Sequence, residues 1–182
     1  MKKIDVEHVL RAAGDITGEK QFIIIGSQSI HAKHPDMFQA AMISQEVDLI
    51  AKKRPERTEM LNVIGVDSPF HEMNGYYADP VDMSTAILPK GWQGRLVNLP
   101  TTGASNDVVG LCLDPHDLLI SKYYARREKD VVFNREVVSA RVVKKEVLLA
   151  RLNETLLSDE IKTRIRGHIE HDFRTTESGA TY

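Results

Sequence analysis

FIIIGSQSI, residues 22–30, followed by SQEVDLIAKK, residues 44–53, is the stretch that decides the fold. Four apolar residues run straight into a Gly-Ser pair. Downstream, Glu46 and Asp48 stand one residue apart inside a second apolar run. The short isoleucine-rich run closed by Gly26 predicts a buried strand, and EVDLIAK predicts another. Alternate residues of a strand share a face, so Glu46 and Asp48 should project together while Val47 and Leu49 point away. Two carboxylates on one face repel each other, and partial burial raises the pKa of one or both. Mg²⁺ would remove that conflict, because it takes oxygen ligands and completes its shell with water and substrate phosphates. The competing interpretation is a solvent-facing edge strand with ordinary polar alternation.

The Gly-Ser pair admits two interpretations as well. Gly26 allows a tight turn, and a helix beginning at SQSIHAKH would aim amide N–H groups at it. Such a bend can hold a phosphate, with the Ser27 hydroxyl as a further ligand. A bare structural turn explains the same residues.

The totals narrow the field. At 182 residues, 42% of them hydrophobic and 27% charged, the chain is long enough for one domain with a normal core. A net charge of −2 supplies no overall field toward nucleic acid or membrane. Cys112 is the only cysteine, which excludes an intramolecular disulfide and a cysteine zinc cluster. MKKIDVEHVLRAAGD has no apolar core for a signal peptide, and no apolar run reaches membrane-spanning length. A cytoplasmic protein with no membrane partner is the expectation.

Along the chain, VEHVLRAAGDI predicts a helix ended by Gly14 or Gly18, and PERTEMLNVIGV a helix with proline in its first turn. From Asp67 to Gly110, glycines and prolines cut the sequence into short strands and loops, including GYYADPV, GRLVNL and GLCLD. SPFHEMNG and PTTGASND are expected to be mobile. After Pro115 the pattern is helical, in three or four helices, the last capped by Ser158. The fold class is therefore α/β (α+β): a mixed sheet flanked by helices over residues 1–114, and a helical part over 115–175 packed on it. A tail over 176–182, with RTTESGATY before and within it, is expected to be disordered.

A strand ending in IIGS (24–27), a short helix, then a strand bearing EVDL (46–49) resembles the nucleotidyltransferase superfamily, whose fold is polymerase-beta-like. The nineteen residues from Ser27 to Glu46 are more than that family's usual loop. The resemblance implies that Gly26 and Ser27 hold a nucleoside triphosphate and that Glu46 and Asp48 hold Mg²⁺ or Mn²⁺. It also implies a third carboxylate on a later strand, acting as general base and metal ligand. Asp79 and Asp82 are candidates for it. If Asn98 holds the place instead, the protein would bind nucleotide and transfer it poorly. Glutamate at 46, where aspartate is usual, leans the same way.

A second resemblance lies in LDPHDLLISKYYARREKDVVF, residues 113–133, which is similar to a segment of proteins related to AbiEii-type toxins. It implies that Lys122, Lys129 and Asp130 border the nucleotide site. YYADPVD and LPKGWQGRLV resemble bacterial nucleotidyltransferase-like proteins of undefined substrate. On a continuous helix Lys122, Arg126 and Lys129 would share one face, suited to a triphosphate or an RNA backbone. A glycine often stands in that family where Arg126 does, which would break the helix, and a solvated face is the plainer account.

Other patterns carry less. HAKH and HIEH place histidines at i, i+3 without an evident third ligand. Trp92, Tyr76, Tyr77, Tyr123 and Tyr124 are candidates for base stacking or for core packing, and Arg95 for a phosphate contact. No Walker A lysine, GxGxxG or GxSxG occurs. The sequence thus points to a metal-dependent transferase that moves an NMP group from an NTP to RNA, a protein or a small molecule. A toxin–antitoxin or defence role, with an antitoxin partner or a homodimer, follows by analogy. The alternative is a catalytically degenerate protein of the same fold that binds nucleotide, RNA or a protein.

Overall fold

The computed structural model describes residues 1–102 and 107–177. Two compact units emerge: Met1–Thr85 with Leu96–Leu113, and Ala86–Arg95 with Asp114–Tyr182. The first is α/β and the second helical.

In the first unit, α1 (Lys3–Thr17) buries Val6, Val9, Leu10 and Ala13, the i, i+3, i+4, i+7 stripe of an amphipathic helix. It ends on Gly18, whose φ of 67° is the left-handed conformation that favours glycine. Five strands form one mixed sheet: β1 (Gln21–Ile24), β2 (Glu46–Ala51), β3 (Tyr77–Pro80), β4 (Val97–Pro100) and β5 (Val109–Cys112), in the order β3-β2-β1-β5-β4. β1 is antiparallel to β2 and parallel to β5; β2 is parallel to β3, and β4 antiparallel to β5. Phe22, Ile24, Val47, Leu49 and Ala51 join the α1 stripe in one apolar cluster. Ile23 and Ile50, register partners, are buried as well. Burial on both faces explains why FIII runs without alternation.

Several connections differ from expectation. Ser27–Ala32 and Pro55–Ile64 are helical as expected, but of the tighter 3₁₀ kind. The short α2 (Gln39–Met42) follows the first of them. SPFHEMNG, expected to be mobile, contains α3 (Pro69–Asn74). Ser68 accepts the His71 N–H at 3.2 Å, Pro69 opens the helix and Gly75 closes it at φ 75°. All three signals stand in the sequence and outweigh the glycine and proline content that suggested a loop. The centre of PTTGASND, residues 103–106, lies outside the described residues.

His31 of the HAKH pair is buried. Its Nδ1 accepts the Asp36 N–H at 3.0 Å, so Nε2 carries the proton and faces the Met1 carbonyl and Gln28 Oε1, each at 3.1 Å. Burial pushes its pKa below the ordinary value, against the pull of the Asp36 carboxylate. A depressed folded-state pKa means the unfolded chain takes the proton first. Stability should then be full above about pH 6.5 and fall as the pH drops through the folded-state value. Melting curves from pH 7.5 to 5 should show that fall, and a His31→Gln variant a shallower one. Equal slopes would remove His31 as the cause.

The second unit comprises α4 (Pro115–Ala125), α5 (Glu128–Ser139), α6 (Lys145–Asn153) and α7 (Asp159–Glu177). α4 packs against the other three. Leu118, Leu119, Tyr123, Phe133, Val137, Leu148, Leu152, Ile165 and Ile169 are buried there. Tyr123 donates to Asp172 at 3.0 Å, a core role in place of base stacking. Ser158 accepts the Ile161 N–H at the start of α7. The helix runs through Gly167 to Glu177, so the expected tail begins as helix; residues 178–182 lie outside the described residues.

Candidate active site

β2 is an inner strand, flanked by β1 and β3. Polar alternation on an exposed edge therefore does not account for Glu46 and Asp48. Val47 and Leu49 are wholly buried in the α1 cluster, and the two acids, each half-buried, take the other face. β3 then supplies the neighbours. Its parallel register sets Tyr77 beside Glu46 and Asp79 beside Asp48. Register partners on adjacent strands share a face at about 4.8 Å spacing, so Asp79 stands next to Asp48.

The other candidates for a third carboxylate lie elsewhere. Asn98 is on β4, with β1 and β5 between it and β2, on the order of 14 Å away by strand spacing. Asp82 is exposed beyond the end of β3 and accepts from the Ser84 N–H at 2.7 Å. Of the three, the sheet brings Asp79 to the acid pair.

The Gly-Ser bend adjoins the same place. Gly26 has an ordinary φ of −95°, so its conformation does not demand glycine. The demand comes from space: a Cβ there would lie 1.6 Å from Asp48 Oδ2. Only a residue without a side chain lets the Asp48 carboxylate rest over the bend. The Ile25 N–H reaches the Asp48 carbonyl at 3.4 Å, tying the end of β1 to β2. Ser29 is turned inward, its hydroxyl donating to the Ile24 carbonyl at 2.6 Å. Ser27, half-buried, opens the 3₁₀ helix at the bend.

Tyr77 links the group. Its hydroxyl donates to Glu46 Oε2 at 3.3 Å. Burial pushes the phenol pKa up, and the negative charge of Glu46, its hydrogen bond, and the charges of Asp79 and Asp48 push it further. All three carboxylates thus act electrically on one hydroxyl. Their donor set is oxygen only, which fits a hard divalent cation. Among the described residues no group of three or more His, Cys, Asp or Glu side chains is placed to hold a metal ion by itself. A cation here would use the carboxylates together with water and phosphate oxygens, the usual manner of Mg²⁺.

Lys122, Lys129 and Asp130 belong to the second unit. α4 stops at Ala125, and Arg126 caps it in the left-handed conformation at φ 48°. The continuous face of Lys122, Arg126 and Lys129 does not form; Arg126 takes the backbone geometry that glycine would supply. Lys122 is almost wholly buried, donates to Asp130 at 2.9 Å and lies 4.6 Å over the Phe133 ring. Asp130, fully buried, also accepts from Arg127 Nε at 2.8 Å. Burial alone would raise the Asp130 carboxyl; the Arg127 bond and the Lys122 charge outweigh it and hold the carboxyl below its ordinary range. The contacts described for Asp130 thus run to Lys122 and Arg127. Lys129 is exposed. Arg95 grips the buried Asp117 through Nε and a terminal nitrogen, at 2.8 and 3.1 Å, a structural task in place of a phosphate contact.

Reasoning from sequence missed the Tyr77 hydroxyl as a partner of Glu46. A signal existed: Tyr77 and Asp79 alternate on one strand and must share a face. What the sequence lacks is the register that sets that face beside Glu46.

A sequence model of a protein family, described as nucleotidyltransferase of unknown function (DUF6036), matches residues 4–177. No curated protein and no solved structure matches the chain.

Proposed function

The chain belongs to this nucleotidyltransferase family, and on that premise we propose that it moves an NMP group from an NTP to a hydroxyl acceptor with the help of Mg²⁺ or Mn²⁺. The observation that carries the proposal is the meeting of Glu46, Asp48 and Asp79 on one sheet face beside the Gly26–Ser27 bend. In this reading Glu46 and Asp48 hold the cation, which when bound neutralises charge growing on the transferred phosphate. Gly26, the Ser27 hydroxyl and the adjoining amides receive the phosphates. Asp79 takes the proton of the acceptor hydroxyl as its oxygen bonds to the α-phosphorus. The bond from that phosphorus to the bridging oxygen breaks, and pyrophosphate leaves. Lys122 and Lys129 were expected to balance triphosphate charge; Lys129 is exposed, and Lys122 is buried against Asp130.

A carboxylate in register with Asp48 supports transfer over binding alone. Glu46 in place of the usual aspartate is the feature that favours a binding-only protein. RNA, a protein or a small molecule can supply the hydroxyl. A toxin–antitoxin role, with an antitoxin or a second copy as partner, rests on the resemblance of residues 113–133 to AbiEii-related proteins.

The test is incubation with each labelled NTP, Mg²⁺ or Mn²⁺, and total RNA or lysate. Label should pass to an acceptor, and Glu46→Ala with Asp48→Ala should abolish it. Asp79→Asn should lower transfer by about 10²–10⁴-fold, the usual worth of a general base, while NTP binding persists. Transfer that survives the double change would end the metal-site proposal.

A further inference from the structure

Glu46 raises a problem of aim. Glutamate has one more rotatable bond than aspartate, so its carboxylate sweeps a larger volume unless something holds it. Asp48 is confined by its packing over Gly26. Resting on the cation reading above, we propose that Tyr77 is the positioning residue for Glu46: it holds one carboxylate oxygen so that the other faces the cation.

The parts are in place on β3 and α3. Tyr77 is the register partner of Glu46, and its hydroxyl donates to Oε2 at 3.3 Å; in this proposal Oε1 is the ligand atom. That distance is long for a hydroxyl donor, so the bond biases the side chain without locking it. The Tyr77 ring is backed by the His71 imidazole, with centroids 4.6 Å apart and planes at 58°. His71 is itself held twice. Its N–H donates to the Ser68 hydroxyl at 3.2 Å, and its Nδ1 accepts the Asp67 N–H at 3.1 Å. A capped helix therefore fixes an imidazole, the imidazole confines a phenol ring, and the phenol aims a carboxylate. Such outer partners tune ligand geometry in metal sites generally.

The experiment is a double-mutant cycle in Mn²⁺ affinity, read by electron paramagnetic resonance on the metal-free full chain. Its corners are wild type, Tyr77→Phe, Glu46→Asp and the double variant. Tyr77→Phe keeps the ring against His71 and should weaken binding by about tenfold. In Glu46→Asp the shorter side chain falls short of the hydroxyl, so adding Tyr77→Phe to it should weaken binding no further. Melting temperatures check that each variant is folded. Unchanged affinity in Tyr77→Phe, or effects that multiply across the cycle, would overturn the tyrosine's role. If Glu46→Ala with Asp48→Ala binds Mn²⁺ as wild type does, the cation reading fails and takes this proposal with it. Loss of binding in that variant with no effect of Tyr77→Phe sinks the tyrosine alone.

Discussion

Gly26→Ala is expected to weaken divalent-cation binding by about a hundredfold, near the upper end of what disturbed metal surroundings cost. The cause is steric. The new methyl carbon would stand 1.6 Å from Asp48 Oδ2 and 2.7 Å from its Cγ, so the carboxylate must leave. The backbone at φ −95° accepts alanine, and strain in the turn contributes nothing. Crowding should also lower stability, by about 1–3 kcal/mol. Both effects run through Asp48, which gives a clean control. In an Asp48→Ala background the added Gly26→Ala should change neither unfolding by urea nor the residual Mn²⁺ affinity. A Gly26→Ala protein that binds Mn²⁺ as wild type does would show that Asp48 is not a ligand.

The second large effect is expected at Lys122. Lys122→Met should destabilise the protein by about 3 kcal/mol, the low end for breaking a buried pair, because Arg127 still covers Asp130. Adding Asp130→Leu should recover much of the loss, since no uncompensated charge then remains inside. Urea unfolding measures both. NTP affinity of the double variant gives a separate answer. If Lys122 serves only the Asp130 pair, affinity returns with stability. If affinity stays low in a restored fold, the Lys122–Asp130 pair also bears on NTP binding.

How far the sequence carried the site can be judged residue by residue. The acid alternation of EVDL is local, with period two, and it survived into β2 with Val47 and Leu49 buried opposite. Gly26 was legible as a necessary glycine, but for the wrong reason: turn freedom is visible in a sequence, and the approach of a side chain from another strand is not. The choice among Asp79, Asp82 and Asn98 needed strand order, a property of pairings between residues as far as 88 positions apart, as Gln21 and Val109 are. The α4–α5 segment misled because a run of basic residues usually faces water. Here Lys122 is drawn inside by Asp130, and Arg126 adopts a left-handed geometry without glycine to announce it.

The parallel pairing of β2 with β3 obliges the polypeptide to travel back along the sheet between Ala51 and Tyr77, and it does so through Pro55–Ile64 and α3. The length of that detour is of little consequence to Asp79. What governs the aspartate is parity: displaced by a single position against β2, it would exchange faces with Ala78 and present a methyl group where an acid belongs. Insertions in the detour should therefore be tolerated by descendants of this chain wherever the pairing of Asp48 with Asp79 is kept, and a slipped strand would disarm the molecule while leaving its composition intact.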